Sequence, residues 1–184
     1  MADLMAASRK SVLEGAHGGS TVVRLTPAAP ADRISLRAGA DAVAGLSKAL
    51  GLKLPVKPKT SASAKGRTAL WLGPDEWLVI DEQGGDLMAA CAEAGVVHAA
   101  TDVSHRNTAI IVSGPGAENT LNAGCPLDLS ISIFPVGAAA RTVLGKIEIV
   151  LHRVDEETFR VECWRSFAEY AFGLLAEAAE DAAA

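Results

Sequence analysis

Apolar residues fall at alternate positions in TVVRLTP (21–27) and RISLRAG (33–39), the pattern of strands that bury one face. The period then changes. In GADAVAGLSKALG (39–51), Val43, Leu46 and Leu50 share one helical face, Gly39 and Asp41 suit the start, and Gly51 suits the stop. RTALWLG (67–73) and WLVID (77–81) read as strands joined by a turn, where Pro74 and Asp75 are favoured. GGDLMAACAEAG (84–95) is a second helix between glycines. Alternation returns in VVHAATDVSH (96–105) and RNTAIIVSG (106–114), and PGAENTLNAG (115–124) is a short helix with Pro115 near its first turn. RTVLGKIEIVLHRV (141–154) and FRVECWRS (159–166) are strand-like about a DEET turn. The last element has the clearest helical signature: Ser166 and Glu169 form an S-x-x-E capping box, and Phe167, Tyr170, Ala171, Leu174, Leu175 and Ala178 make an apolar stripe.

These elements repeat. ISLRAGADAVAGLSKALG aligns with AIIVSGPGAENTLNAGC as strand, glycine turn, helix and glycine stop. RTALWLGPDEWLVID aligns with RTVLGKIEIVLHRVDEETFRVECWRS as strands opened by the same Arg-Thr, and each half ends in a helix. The expectation is an α+β fold of two β-α-β-β-α halves, residues 20–95 and 96–184, with mostly antiparallel sheets and helices packed on one side. Residues 1–19 show no sustained period and read as a flexible leader. The stretch 53–66, rich in Pro and Ser and free of acids, reads as an exposed excursion.

Composition narrows the function classes. The formal charge of −5 argues against nucleic acid, which needs clustered Lys and Arg, and 4 % aromatics is thin for base stacking or sugar binding. No apolar run approaches the roughly 20 residues that span a bilayer, and the N-terminus lacks the basic head and apolar stretch of a secretory signal. Cys91, Cys125 and Cys163 are an odd count, far apart and in no CxxC pair, which suits reduced thiols in a cytoplasm.

Candidate chemistry is sparse. There is no G-x-S-x-G elbow, no G-x-x-x-x-G-K-[ST] and no G-x-G-x-x-G; the G-x-G of SGPGAEN reads as a helix-entry turn. Cys125 follows a helix end, the electronegative pole, which disfavours a thiolate; a structural thiol is the plainer reading, with a Cys125–His105 thiol hydrolase as the sharper one. Asp102 and His105 could meet if DVSH bends tightly, yet no third metal ligand is evident, and a loop held by Asp102, Ser104 and His105 accounts for the motif. Lys53, Lys57, Lys59, Lys65 and Arg67 form either a solvated loop or a dock for an acidic partner. Trp71 and Trp77 flank the turn either as core packing or as an apolar interface anchor.

A family resemblance lies in the same segments. DVSHRNTAIIVSGPGAENTLNAGCPLDL (102–129) resembles a segment shared by the aminomethyltransferase (glycine-cleavage T-protein) superfamily and the gamma subunit of heterotetrameric sarcosine oxidase. RTALWLGPDEWLVI (67–80), CPLDL, FPVGAAARTVL (134–144) and WRSFAEYAFGLL (164–175) resemble the gamma subunit in order and spacing. An aminomethyltransferase is about twice as long. The resemblance implies a T-protein-like, folate-binding-domain fold and a non-catalytic assembly subunit of a cytoplasmic complex of alpha, beta, gamma and delta chains. That complex would demethylate sarcosine oxidatively to glycine with oxygen, yielding hydrogen peroxide and methylenetetrahydrofolate. It further implies no cofactor in this chain, with NAD and tetrahydrofolate in alpha, FAD in beta, FMN between them and zinc in delta. Alpha is then the expected direct contact, through Trp71, Trp77, Asp102, His105, Arg106 and Arg165. The alternative is a free-standing folate-binding or aminomethyl-transfer protein.

Overall fold

Eleven strands and four α-helices form among residues 11–184, which the computed structural model of the chain describes. In chain order the first part holds β1 (Gly18–Gly19), β2 (Arg24–Pro27), β3 (Asp32–Ala38), α1 (Val43–Leu50), β4 (Ser61–Ala64), β5 (Arg67–Gly73), β6 (Glu76–Asp81) and α2 (Leu87–Glu93). The second holds β7 (His98–Asp102), β8 (Asn107–Ser113), α3 (Ala117–Asn122), β9 (Ala139–Leu144), β10 (Ile147–Asp155), β11 (Thr158–Trp164) and α4 (Ala168–Asp181).

The strands make two sheets, ordered β4-β5-β6-β3-β7 and β1-β2-β8-β11-β10-β9, with every pairing antiparallel. The run β3-β6-β5-β4 has the same chain logic as β8-β11-β10-β9, so the sequence repeat is a repeat of topology. The two lead-in strands are exchanged. β2 precedes β3 along the chain but pairs with β8, and β7 precedes β8 but pairs with β3. Val23 and Leu25, read along the sequence with the first half, thus bury in the core of the second.

Apolar alternation sorts the molecule into four layers. In β6, Trp77 and Val79 face α1 and α2 with Leu46, Leu50, Leu87 and Cys91, while Leu78 and Ile80 face the other sheet with Ala139 and Val150. On the far side, Ile110, Val112, Ile149, Leu151, Phe159 and Val161 pack against Leu121 of α3 and Ala171, Leu175 and Ala179 of α4. Helices therefore cover the outer face of each sheet.

Several local expectations change in the structure. Residues 1–10 of the expected leader lie outside the described residues, whereas Leu13 is buried and β1 pairs with β2. Within 53–66, Leu54 and Pro55 are buried and β4 is a sheet edge, so the excursion is exposed only in part. The capping box does not form: residues Arg165–Phe167 make a 3-10 turn, and Phe167, not Ser166, caps α4 without a side-chain bond. Asp86 caps α2 by accepting from the Ala89 amide at 2.8 Å. In SGPGAEN, Gly114 has φ +119 and a Cβ there would lie 2.5 Å from the Val22 carbonyl. These glycines enter α3, with Gly116 at its N-cap, and admit a close approach of Val22 and Val23, just before β2.

Candidate functional site

Residues 103–106 carry the chain from one sheet to the other, and they are fastened to β3. The Val103 amide donates to the Arg33 carbonyl at 2.9 Å, and the Arg33 amide donates to Ser104 Oγ at 2.9 Å. Asp102 Oδ1 accepts from the Ser104 amide at 2.8 Å. DVSH is therefore a fastened crossover, with Asp102 and His105 exposed at its surface. Among the described residues no group of three His, Cys, Asp or Glu side chains stands close enough to hold a metal.

The sequence reading missed what lies beneath this turn. Arg33 and Glu162, only 2 % and 1 % exposed, join the two sheets by a bidentate pair at 2.7 and 3.1 Å. Arg160 donates to the same carboxylate at 2.8 Å and to Glu82 at 2.5 Å, so Glu162 is shared by two guanidiniums. A second tie runs from Arg141 on β9 to Glu76 on β6 at 2.6 Å, with Arg37 at 3.0 Å from the same carboxylate. Hydrogen bonding to Arg141 holds the Glu76 carboxyl below the usual range against the opposing effect of burial. A third tie is neutral: His152 Nε2 lies 3.0 Å from Ser61 Oγ, which donates to the Gly137 carbonyl at 2.7 Å. Burial, and then the charge of Arg160, pushes His152 down to about 4. The signal was visible in DRISL and RVECW, where a charge interrupts a strand pattern, but its partner is 129 residues away.

The surface residues fall into two groups. Arg106 and Arg165 meet, the Arg165 amide donating to the Arg106 carbonyl at 2.6 Å. Arg106 lies over Trp164 at 5.3 Å, and Trp164 stacks on Phe167 at 6.0 Å. Exposed together with Arg106, these rings make a cationic and aromatic patch beside the crossover. Trp71 and Trp77 form the other group, paired across the β5–β6 hairpin. Trp77 is 1 % exposed and donates to the Pro55 carbonyl at 2.7 Å, so its ring is core and has no surface for a partner. Trp71 is half-buried and lines an open hollow of ≈ 720 Å³ beside α1.

All three thiols are buried and unpaired. Burial pushes the Cys91 thiol up, and burial followed by the Glu162 charge pushes Cys163 up to about 12. Cys125 sits in the core under α3, with its nearest polar contact Thr142 Oγ1 at 3.9 Å. These are packed thiols: at Cys91 and Cys163 burial outweighs the nearby charges of Arg67 and Arg33, and none has the accessible setting that activates cysteine.

Two sheets of matching strand order, each covered on its outer face by helices, define a duplicated α+β fold of the aminomethyltransferase type. The glycine cleavage system aminomethyltransferase T from Bartonella henselae superposes with a TM-score of 0.62 at 15 % identity, over 87 % of this chain and 49 % of that one, a likeness of fold alone. The sequence profile of the sarcosine oxidase, gamma subunit family matches residues 36–181, and the chain belongs to that family. Sarcosine oxidase subunit gamma of Arthrobacter sp is 34 % identical over 177 residues, covering 92 % of this chain and 85 % of that protein. The same subunit of Corynebacterium sp. (strain P-1) is 33 % identical with the same coverage. A chain of the heterotetrameric sarcosine oxidase from Corynebacterium sp. U-96, solved with pyrrole 2-carboxylate, superposes with a TM-score of 0.87 at 29 % identity, over 96 % of this chain and 97 % of that one.

Proposed function

We propose that this chain is the gamma subunit of a heterotetrameric sarcosine oxidase and serves its assembly and stability without carrying its chemistry. The observation that carries the reading is the near end-to-end likeness to a chain of the Corynebacterium enzyme at 29 % identity. Buried, unactivated thiols agree with it. The complex oxidises sarcosine to glycine with oxygen, and FAD, FMN, NAD, tetrahydrofolate and zinc belong to the alpha, beta and delta subunits, with this chain holding none. It works in the cytoplasm, where its unpaired cysteines stay reduced. Alpha is the direct contact, and Asp102, His105, Arg106 and Arg165 offer it the crossover surface, joined by Trp164 and Phe167. Aromatic rings and arginines are what interface centres favour.

Co-expression with and without this chain tests the reading. The expected result is a stoichiometric yellow complex that makes peroxide from sarcosine, and a loss of intact complex when the chain is left out. A colourless chain that purifies alone overturns it. The DVSHRNTAIIVSGPGA segment, which resembles the aminomethyltransferase superfamily, favours a second reading, a free-standing folate-binding or aminomethyl-transfer protein. Saturable micromolar binding of tetrahydrofolate by the isolated chain is the result that would select it.

A further inference from the structure

The apolar hollow beside α1 is left unexplained by the fold. Val43 and Ala44 of α1, Leu54 and Val56 of the following loop, Trp71 of β5 and Pro74 of the turn form its walls. Val56 is 67 % exposed and adds an aliphatic side chain to the open face of the hollow. Three polar side-chain groups stand in the lining: the Ser47 hydroxyl, which accepts from the Leu54 amide at 3.0 Å, the Trp71 indole nitrogen and the Lys53 ammonium. A small molecule needs a few convergent polar groups to orient it, and with the Ser47 hydroxyl engaged and the Trp71 indole nitrogen buried the wall offers chiefly the Lys53 ammonium. The Trp71 indole nitrogen is buried with no acceptor among the described residues.

Charge defines the occupant. Lys53, Lys57 and Lys59 follow one another along this loop with no acid between them, on a chain whose formal charge is −5. All three are exposed. The acids next to lining residues are Asp41, beside Ala40, and Asp75, beside Pro74, the latter 3.9 Å from Arg37. The loop is fastened to the body of the fold: the Leu54 amide donates to Ser47 Oγ at 3.0 Å, Trp77 Nε1 to the Pro55 carbonyl at 2.7 Å and the Ala139 amide to the Lys59 carbonyl at 3.3 Å. A preformed, rigid seat loses little entropy on binding.

We infer that this hollow seats a segment of a partner subunit that inserts apolar side chains against Trp71 and Val56 and sets acidic residues against Lys53, Lys57 and Lys59. The inference rests on the subunit reading above and gives it a second contact surface, separate from the crossover. The test uses the tagged full-length chain co-expressed with the other subunits, with recovered flavoprotein measured at low and high salt. Val56→Asp and the double change Lys53→Glu/Lys57→Glu should each cut recovery at least fivefold at low salt. The control Arg24→Glu/Lys146→Glu, with the same charge change at exposed positions outside the hollow, should recover wild-type amounts. Unchanged melting temperatures establish that the variants fold. Wild-type recovery by both hollow variants, or equal losses in the control, overturns the docking surface while leaving the subunit reading intact. Failure of the wild-type chain to recover any flavoprotein overturns the subunit reading, and the seat falls with it.

Discussion

Glu162 is the residue on which the joining of the sheets depends, because two buried guanidiniums share its carboxylate. Removing one partner of a buried pair leaves an uncompensated charge, so Glu162→Gln should lower unfolding stability by about 3 kcal/mol or more. Urea denaturation followed by tryptophan fluorescence measures it, and a loss under about 1 kcal/mol would contradict the role given to this carboxylate. His152 makes a separate, pH-dependent contribution. Its folded pKa is about 4 against an ordinary 6.5, so between those values the unfolded chain binds more protons than the folded one. Stability should therefore fall as pH drops from 6.5 towards 4, by about 3 kcal/mol in all, and stay flat above. Glu76, whose pKa is lowered, loses its own contribution in the acid range as well, so the His152 part is read from the difference that His152→Gln makes. That variant should flatten the profile between pH 6.5 and 4; an unaltered slope would exclude His152 as its source.

At the scale of elements, caps and turns decide more than helical stripes. Asp86 accepts from the Ala89 amide, so Asp86→Ala should cost about 1 kcal/mol, whereas Ser166→Ala should cost less than about half of that, since Ser166 caps nothing. Paired thermal melts of the two variants check the order, and a larger loss at Ser166 would restore the capping box. Gly114 is placed more tightly. Its φ of +119 and the Val22 carbonyl 2.5 Å from a would-be Cβ make Gly114→Ala costly by about 2 kcal/mol or more. The G-x-G read as a helix-entry turn does enter α3, with Gly116 at its N-cap, and it also admits a close approach of the chain at Val22, so its loss should show in a melt.

On the scale of the whole molecule, the exchange of β2 and β7 between halves makes the two sheets interdependent. Each lead-in strand completes the other half's sheet, and three polar ties cross between the sheets. Unfolding should be a single cooperative transition. The thiols provide an independent test: all three are buried, so a thiol reagent should label them at the rate of unfolding and reach three equivalents only in denaturant. Rapid labelling of one thiol in the native chain would contradict the packing of that cysteine.

The sequence by itself determined most of the strands and helices, the duplication and the family resemblance, though not β1 or β4, which lie inside stretches read as a leader and an exposed excursion. Alternation and helical period are local properties, so strands such as RISLRAG and RTALWLG, the glycine stop at Gly51 and the repeated Arg-Thr opening were legible from neighbours along the chain. The matching strand orders β3-β6-β5-β4 and β8-β11-β10-β9 follow that repeat. Tertiary structure alone decided which sheet took β2 and β7, that Trp77 is core while Trp71 lines a hollow, and that Arg106 lies over Trp164. It also decided that the repeated arginines act differently, Arg67 pairing with Asp81 inside its own hairpin and Arg141 reaching Glu76 in the other sheet. The reason is physical. A hydrophobic period records that a face is buried but not against what, and a buried charge records a need whose partner only the folded chain brings within reach.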